Sequence, residues 1–170
     1  FQTISGGSMG FPKVLERTCI SWILSFNIND KFYNLRGSKV ALFGSISHSL
    51  SLYGVLESIY LGCEVHPLAG LSPRKQLQYL KNKNIEILYV TPTQLRFMLS
   101  AKYQNYLIHS LRYVFIGGAS IEQNTLMELS ELAPNAELKL FYGSSETSFI
   151  TISDRLTPIN SVGKAYQGVE

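Results

Sequence analysis

A glycine- and serine-rich loop near the start of the chain ends in a proline and a lysine. It covers residues 5–13 and reads Ser-Gly-Gly-Ser-Met-Gly-Phe-Pro-Lys. Glycines allow successive backbone N–H groups to turn toward one point, hydroxyls add further donors, and the lysine adds a full positive charge. This combination favours a polyphosphate ligand. The candidate phosphate-binding residues are Ser5, Gly6, Gly7, Ser8, Gly10 and Lys13.

A second group of polar residues follows an apolar, strand-like run near the other end of the chain. It reads Tyr142-Gly143-Ser144-Ser145-Glu146. A carboxylate oxygen suits a hard cation such as Mg²⁺, hydroxyls suit a phosphate, and an aromatic ring suits a flat base. The segment therefore predicts a place where a metal, a phosphate and a base are bound together.

Two shorter segments carry weaker signals. Gly117 and Gly118, followed by Ala119, come directly after an apolar run. A glycine pair lets a flat ligand approach the backbone closely, although it usually marks only a tight turn. His48 follows another apolar run. It is as readily a partly buried polar residue or a helix cap as a contact for a substrate.

The elements that must position these residues alternate along the chain from residue 38 onward. Apolar runs predict strands over 39–44, 64–68, 85–90, 111–116 and 137–142, with one more over 149–152. Helical spacing predicts helices over 50–61, 74–82, 93–101 and 121–132, stopped or started by residues such as Gly62 and Ser72-Pro73. Before residue 38, Thr18 is expected to cap one further helix. This order predicts an α/β fold with a mainly parallel sheet and helices on both faces.

The predicted strands bring the candidate residues to one edge of that sheet. In open α/β sheets, ligands bind outside the carboxyl ends of the strands. His48 follows the first predicted strand, Thr91-Pro92 the third, Gly117-Gly118 the fourth, and residues 142–146 the fifth. We therefore expect these segments to form a single site.

Composition and charge exclude several other classes of protein. The 170 residues are 45% apolar and carry a net charge of +3, with no cluster of basic residues alternating with aromatic ones. We therefore predict no nucleic-acid partner. The longest apolar stretch, 49–65, is short and is interrupted by Glu57, so no transmembrane segment is expected. Cys19 and Cys63 are predicted to be buried free thiols, which fits a cytoplasmic location.

The loop over 5–13 does not match two other common phosphate binders. A Walker A loop needs Gly-Lys-Ser/Thr, but Phe11 and Pro12 separate Gly10 from Lys13, and Val14 follows the lysine. A dinucleotide fingerprint needs Gly-x-Gly-x-x-Gly between a strand and a helix, which this segment lacks.

The loop, the Gly117-Gly118 turn and the 142–146 segment together resemble the signatures of the AMP-forming acyl-CoA synthetases and other adenylating ligases. The resemblance implies ATP, Mg²⁺ and coenzyme A, with a small carboxylic acid as the second substrate. It places Lys13 on the departing phosphates, Ser145 on the α-phosphate, Glu146 on Mg²⁺ and Tyr142 along the adenine. It places residues 117–119 beside the adenine and acyl group, and His48 and the 91–95 segment near the acyl pocket. Trp22 is expected to be a core residue.

Two residues depart from that family's pattern. Met9 stands where the family usually has a threonine, and Val14 where a glycine is common. The loss of a hydroxyl donor at Met9 favours an alternative, a non-catalytic nucleotide- or acyl-binding module that keeps the fold. Adenylation domains that load carrier proteins share the same motifs and remain open.

The resemblance covers only the central part of such an enzyme's N-terminal domain. It implies a ribose-binding aspartate segment and a C-terminal lid domain beyond the chain, and an upstream part before it. We expect a single partial domain over 1–170, made of a phosphate loop and helix (1–37), a βα-repeat sheet (38–154) and an exit segment (155–170). We expect this piece to be inactive on its own.

Overall fold

The computed structural model of the chain describes residues 2–4, 14–103, 106–153, 157–158 and 161–169. Strands β1 (Gln2–Ile4) and β2 (Val14–Glu16) form an antiparallel ribbon, and helix α1 (Cys19–Tyr33) follows. The predicted phosphate loop, residues 5–13, connects these two strands and lies outside the described residues.

The remaining elements build a seven-stranded sheet with four helices. In chain order they are β3 (Lys39–Leu42), α2 (Ser49–Leu61), β4 (Glu64–Pro67), α3 (Pro73–Asn82), β5 (Ile87–Val90), α4 (Pro92–Leu99), β6 (Tyr113–Gly117), α5 (Gln123–Leu132), β7 (Glu137–Ser144), β8 (Ser148–Ile152) and β9 (Lys164–Ala165). The strand order is β4-β3-β5-β6-β7-β8-β9. The pairings from β4 to β7 are parallel, and those of β8 and β9 are antiparallel. The predicted mainly parallel α/β sheet is confirmed.

Several helix ends lie where the sequence places them. Gly62 ends α2 in the left-handed conformation, with φ of 68°, which a residue without a Cβ adopts at little cost. Ser72 precedes α3, with Pro73 in its first turn. Thr91 starts α4 with a reciprocal capping box to Gln94.

The sheet is covered on both faces, and each face has its own core. One core packs against α3, α4 and α5 and includes Leu77, Leu95 and Leu129. The other packs against α1 and α2 and includes Trp22 and Tyr53. Because side chains alternate along a strand, β5 contributes Leu88 and Val90 to the first core and Ile87 and Tyr89 to the second. All four are buried, so β5 lies at the centre of the fold.

The apolar residues of helix α1 are spread around all its sides, so the sequence does not show which face of the helix is buried. It exposes Ile20, Leu24 and Phe32 by 59%, 57% and 56%. Cys19, at its first residue, is also exposed, whereas Cys63 is half-buried. Both thiols are free, but the prediction that both are buried is wrong, because α1 has no single apolar stripe that fixes which residues face inward.

None of the described helices combines the length and apolar character needed to cross a bilayer.

Candidate functional site

A cavity of about 770 Å³ opens at the carboxyl ends of β3, β5, β6 and β7. These strand ends meet at one edge because the four strands run parallel and are hydrogen-bonded in succession. The loops that leave them therefore share one space, although they are far apart in sequence.

Six of the predicted site residues line this cavity. They come from three loops: His48 after β3, Gly117 and Gly118 after β6, and Gly143, Ser144 and Ser145 at the end of β7. Thr91, Thr93 and Gln94 of the segment after β5 line it as well. The structure thus brings together segments that the sequence predicts as parts of one site.

Other predicted site residues lie elsewhere. Ala119, Tyr142 and Glu146 are exposed and are not among the described residues that line the cavity. Tyr142 exposes 57% of its surface, because it alternates along β7 with Phe141 and Gly143, which do line the cavity. Glu146 follows Ser145 in the turn after β7. The loop residues Ser5, Gly6, Gly7, Ser8, Gly10 and Lys13 lie outside the described residues.

The turn between β7 and β8 has a tightly packed backbone. The strand register shifts between Tyr142 and Gly143, and a Cβ at Gly143 would lie 2.0 Å from the Ser148 carbonyl oxygen. Only glycine fits that approach. Across the turn, the hydroxyl oxygens of Ser144 and Thr147 lie 3.0 Å apart. This geometry holds Ser145 at the cavity, and Glu146 follows it as an exposed residue of the same turn.

The glycine pair after β6 leaves room for an aromatic ring at the cavity wall. A Cβ at Gly117 would lie 2.3 Å from the ring of Phe141, which lines the cavity. Gly118 has φ of 94°, a conformation that favours glycine. The absence of a side chain at Gly117 therefore lets the Phe141 ring pack directly against the backbone and form part of the cavity wall.

Two helix N-termini adjoin the cavity. Helix α2 begins after His48 and α4 begins after Thr91, and both of these N-cap residues line it. The Thr91 hydroxyl accepts a hydrogen bond from the Gln94 amide at 3.3 Å, and the Thr91 amide donates to Gln94 Oε1 at 2.9 Å. The positive ends of both helix dipoles favour an anion here.

Comparison with known proteins identifies the family. Residues 4–170 match the profile of the AMP-binding enzymes. The chain belongs to this family. The expected resemblance to adenylating ligases is therefore confirmed. Several of the motifs predicted from the sequence meet at the cavity.

Its curated relatives are acyl-CoA ligases of greater length. The "Putative long chain fatty acid-CoA ligase VraA" of Staphylococcus epidermidis is 29% identical over 168 residues, which is 98% of this chain and 36% of the relative. The "Uncharacterized acyl--CoA ligase YhfT" of Bacillus subtilis is 28% identical over 173 residues, covering 99% and 36%. The chain thus spans about a third of the length of the curated relatives it matches.

Solved structures of adenylate-forming enzymes have the same fold. VinN in complex with L-aspartate superposes with a TM-score of 0.85 at 20% identity, over 98% of this chain and 43% of that one. The Bacillus subtilis o-succinylbenzoate coenzyme A synthetase, in complex with ATP and magnesium, gives 0.83 at 19% identity, over 98% and 35%. The predicted fold class is confirmed.

One charged residue that lines the cavity of this AMP-binding enzyme was missed in the sequence analysis. Arg17 lines the cavity, and its Nη1 donates to Ser148 Oγ at 2.6 Å. Its guanidinium carbon lies 4.5 Å from the ring centroid of Trp22. Burial lowers the pKa of Arg17, and the Glu146 carboxylate opposes that shift. The sequence does indicate that Arg17 is unusual, because a cation just before the N-terminus of α1 is electrostatically unfavourable.

Trp22 has two roles in the structure. It is 2% exposed in the second core, as the sequence predicts, and it also lines the cavity. One face of the site is therefore built directly on the core.

A buried carboxyl group lies behind the cavity wall. Glu57 is 2% exposed, and its carboxyl accepts hydrogen bonds from Asn29 Nδ2 at 2.8 Å, from the Tyr53 hydroxyl at 3.2 Å and from the Tyr89 hydroxyl. Burial raises the pKa of Glu57 to about 7, although the three donors oppose the rise. Tyr53 also lines the cavity, so this network contacts the site through one side chain.

The same network reaches the last described segment of the chain. The Tyr166 hydroxyl donates to Asn29 Oδ1 at 2.7 Å, and the Tyr166 ring stacks on Phe149 at 5.1 Å between centroids. Asn29 thereby bridges Glu57 and Tyr166. The network joins α1, α2, β5 and the residues after β9.

Proposed function

We propose that the chain forms the nucleotide-binding core of a ligase that activates a carboxylic acid with ATP and transfers the acyl group to coenzyme A. The observation that supports this best is the shared cavity. His48, the Thr91 cap, the Gly117-Gly118 turn and Ser145 meet there, although each comes from a different loop. The curated relatives that match the chain carry the names of acyl-CoA ligases.

The described residues fit a magnesium-bound nucleotide. The cavity offers hydroxyls at Ser144 and Ser145 and the positive ends of α2 and α4, all of which favour phosphate oxygens. Glu146 adds an exposed carboxylate beside them, and carboxylate oxygen is a preferred magnesium ligand. When bound, Mg²⁺ would neutralise phosphate charge and so favour nucleophilic attack on phosphorus.

In the proposed reaction, a carboxylate oxygen of the acid attacks the α-phosphorus of ATP. The bond to the pyrophosphate oxygen breaks, and an acyl-adenylate and pyrophosphate form. The sulfur of coenzyme A then attacks the acyl carbonyl carbon, and AMP leaves with the bonding electrons. Such displacements are catalysed mainly by positioning and by charge stabilisation.

The chain's residues take distinct parts in this proposal. Ser145 donates a hydrogen bond to the α-phosphate, and Glu146 holds the metal. Lys13 and the loop residues from Ser5 to Gly10 bind the departing phosphates. Tyr142 and residues 117–119 flank the adenine. Among the described cavity residues, Ser145 combines a hydroxyl donor with a tightly fixed turn, and this supports its part.

We further propose that the acid is apolar. Leu50, Phe141 and Phe149 line the same cavity as His48. Removing apolar surface from water contributes about 25 cal/mol per Å², so this wall would favour a hydrocarbon chain over a polar one. A fatty acid is the simplest acid with that property. His48 lines the same cavity and would contact the acyl group.

The chain is proposed to act within a longer polypeptide. The relatives are about three times its length, and the proposed reaction also needs a ribose-binding group and a lid domain. Within the chain, we assign 1–37 to the phosphate loop and its helix, 38–154 to the sheet, and 155–170 to the exit toward the next segment. The free cysteines support a cytoplasmic location.

The test uses the full-length gene product and measures exchange of labelled pyrophosphate into ATP with a panel of carboxylic acids. Removing one preorganised donor to a developing charge costs about a hundredfold in rate. We therefore expect Ser145→Ala to lower kcat/KM for ATP by about that factor. Glu146→Gln is expected to lower kcat/KM for ATP as well, because it removes the carboxylate charge proposed to hold Mg²⁺. Glu128→Gln removes an exposed carboxylate on α5, away from the cavity, and is expected to leave it unchanged.

The outcomes separate the proposal from its alternative. Acid-dependent pyrophosphate exchange that both site variants slow strongly, while Glu128→Gln does not, supports the ligase. Nucleotide binding without exchange for any acid supports a non-catalytic binding module, the reading that Met9 favours. If kcat/KM for ATP in both site variants stays within twofold of wild type, the assignment of these residues is contradicted.

A further inference from the structure

We propose that Arg17 is a positioning residue that fastens the turn carrying Ser145 and Glu146 to the core. This inference rests on the proposed function only for its kinetic consequence. Its structural part, that Arg17 restrains residues 144–148, stands on the contacts of the side chain alone.

Arg17 bonds the turn near both of its ends. Its Nη1 donates to Ser148 Oγ at 2.6 Å and lies 3.5 Å from the Ser145 carbonyl oxygen. A planar guanidinium can donate to two neighbouring acceptors in a fixed geometry, whereas the ammonium group of a lysine fixes that geometry less well. The two residues it joins flank Glu146, so the restraint acts on the segment that presents the carboxylate.

Arg17 also contacts a buried side chain of the core. Its guanidinium lies 4.5 Å from the ring centroid of Trp22, which is 2% exposed and packs against Phe26 and Tyr53. A cation held over an indole face is attracted by the ring quadrupole. Arg17 therefore connects a surface turn to a side chain that the core holds in place.

The position of Arg17 is costly by ordinary rules, and this favours a specific role. A cation preceding the first turn of α1 opposes the helix dipole. Partial burial of a guanidinium also removes water from a charged group. The nearby Glu146 carboxylate attracts the guanidinium, so the arrangement is stabilised by the same residue that is proposed to hold the metal.

Hydrogen exchange in the full-length gene product tests the structural part. We expect Arg17→Met and Ser148→Ala each to speed exchange by about tenfold in peptides covering 144–148, since local opening sets the exchange rate there. Peptides covering β5 should be unchanged. Arg36→Met is the matched control, because Arg36 makes an exposed ion pair with Asp30 at 2.9 Å away from the turn. Unchanged exchange at 144–148 in both variants would overturn the inference.

Steady-state pyrophosphate exchange tests the consequence for the site. We expect Arg17→Met to lower kcat/KM for ATP by about tenfold to a hundredfold, with KM for the acid within about twofold of wild type. Arg17→Lys should recover part of the loss. The double variant Arg17→Met with Ser148→Ala should have the same kcat/KM as Arg17→Met alone, because both changes break the same hydrogen bond between Arg17 and Ser148.

Two results would refute this role. If the loss appears in KM for the acid alone, Arg17 contacts the acid instead. If Arg17→Met lowers only the melting temperature and leaves the kinetic constants within twofold, the residue is merely structural. A wild-type protein without pyrophosphate exchange activity overturns the proposed function. Hydrogen exchange then still decides whether Arg17 restrains the turn.

Discussion

Replacement of Glu57 by glutamine should change how the stability of this domain depends on pH. Glu57 is buried behind the cavity, and burial raises its pKa from 4.5 to about 7. Because the folded pKa lies above the unfolded one, the folded state binds this proton more tightly. The contribution of Glu57 to stability is therefore fully present below about pH 4.5 and is lost as pH rises through about 7.

The size of this effect follows from the two pKa values. With a pKa of 4.5 unfolded and about 7 folded, the loss amounts to about 3 kcal/mol over the full range, at 1.36 kcal/mol per pH unit. Most of it, about 2–3 kcal/mol, falls between about pH 5 and about pH 8. Glutamine has nearly the same shape and does not ionise, so Glu57→Gln should lack this term.

Thermal unfolding of the variant and wild type across this pH range is the measurement. For a domain of this size, 1 kcal/mol shifts Tm by about 2–4 °C. The Tm of Glu57→Gln minus the Tm of wild type should therefore rise by about 5–10 °C from the acidic to the basic end of this pH range. Glu128→Gln, an exposed carboxylate, should show no such trend. Parallel pH curves for Glu57→Gln and wild type would refute the reasoning.

Two further substitutions, each with a matched control, test the packing of the site and its support. Gly143→Ala adds a methyl group 2.0 Å from the opposite strand's carbonyl oxygen, so it should destabilise by about 2 kcal/mol or more. Gly62→Ala meets only open space at φ of 68° and should cost about 1 kcal/mol. Tyr166→Phe removes the hydroxyl that donates to buried Asn29 Oδ1 and should cost about 1–3 kcal/mol. Tyr60→Phe removes an exposed hydroxyl and should be nearly neutral. All four are measured by denaturant unfolding.

Each of these predictions has a clear contrary result. Equal costs for Gly143→Ala and Gly62→Ala would mean that the strand at the bulge can move away at little cost. A neutral Tyr166→Phe would mean that another donor, such as water, reaches the Asn29 oxygen.

Local sequence signals predicted most of the elements and their ends. The apolar spacing in α2 and the glycine that ends it are both local, so the helix over 49–61 and its stop at Gly62 could be read directly. The same holds for the Ser72-Pro73 start of α3. The convergence of His48, Gly117 and Ser145 also followed, because the parallel order of strands fixes which loops meet.

The features that sequence reasoning missed all depend on distant contacts. Arg17 and Ser148 are 131 positions apart, so no local pattern reports their hydrogen bond. Glu57 appeared only as a break in an apolar run, because its donors come from α1 and β5 as well as from its own helix. The exposure of Cys19 was missed because apolar residues are spread around α1, so only contacts with distant elements decide which of them are buried.

The hydrogen bond between Tyr166 and Asn29 has a consequence for how the domain is completed during synthesis. The two residues are 137 positions apart, so the ribosome makes α1 long before the partner of its buried amide oxygen exists. Long-range pairs of this kind form late and slow the closing of a core. Truncations that end before Tyr166 would leave that oxygen without its donor and Phe149 without its stacked ring. The smallest unit with a complete second core therefore includes the segment after β9.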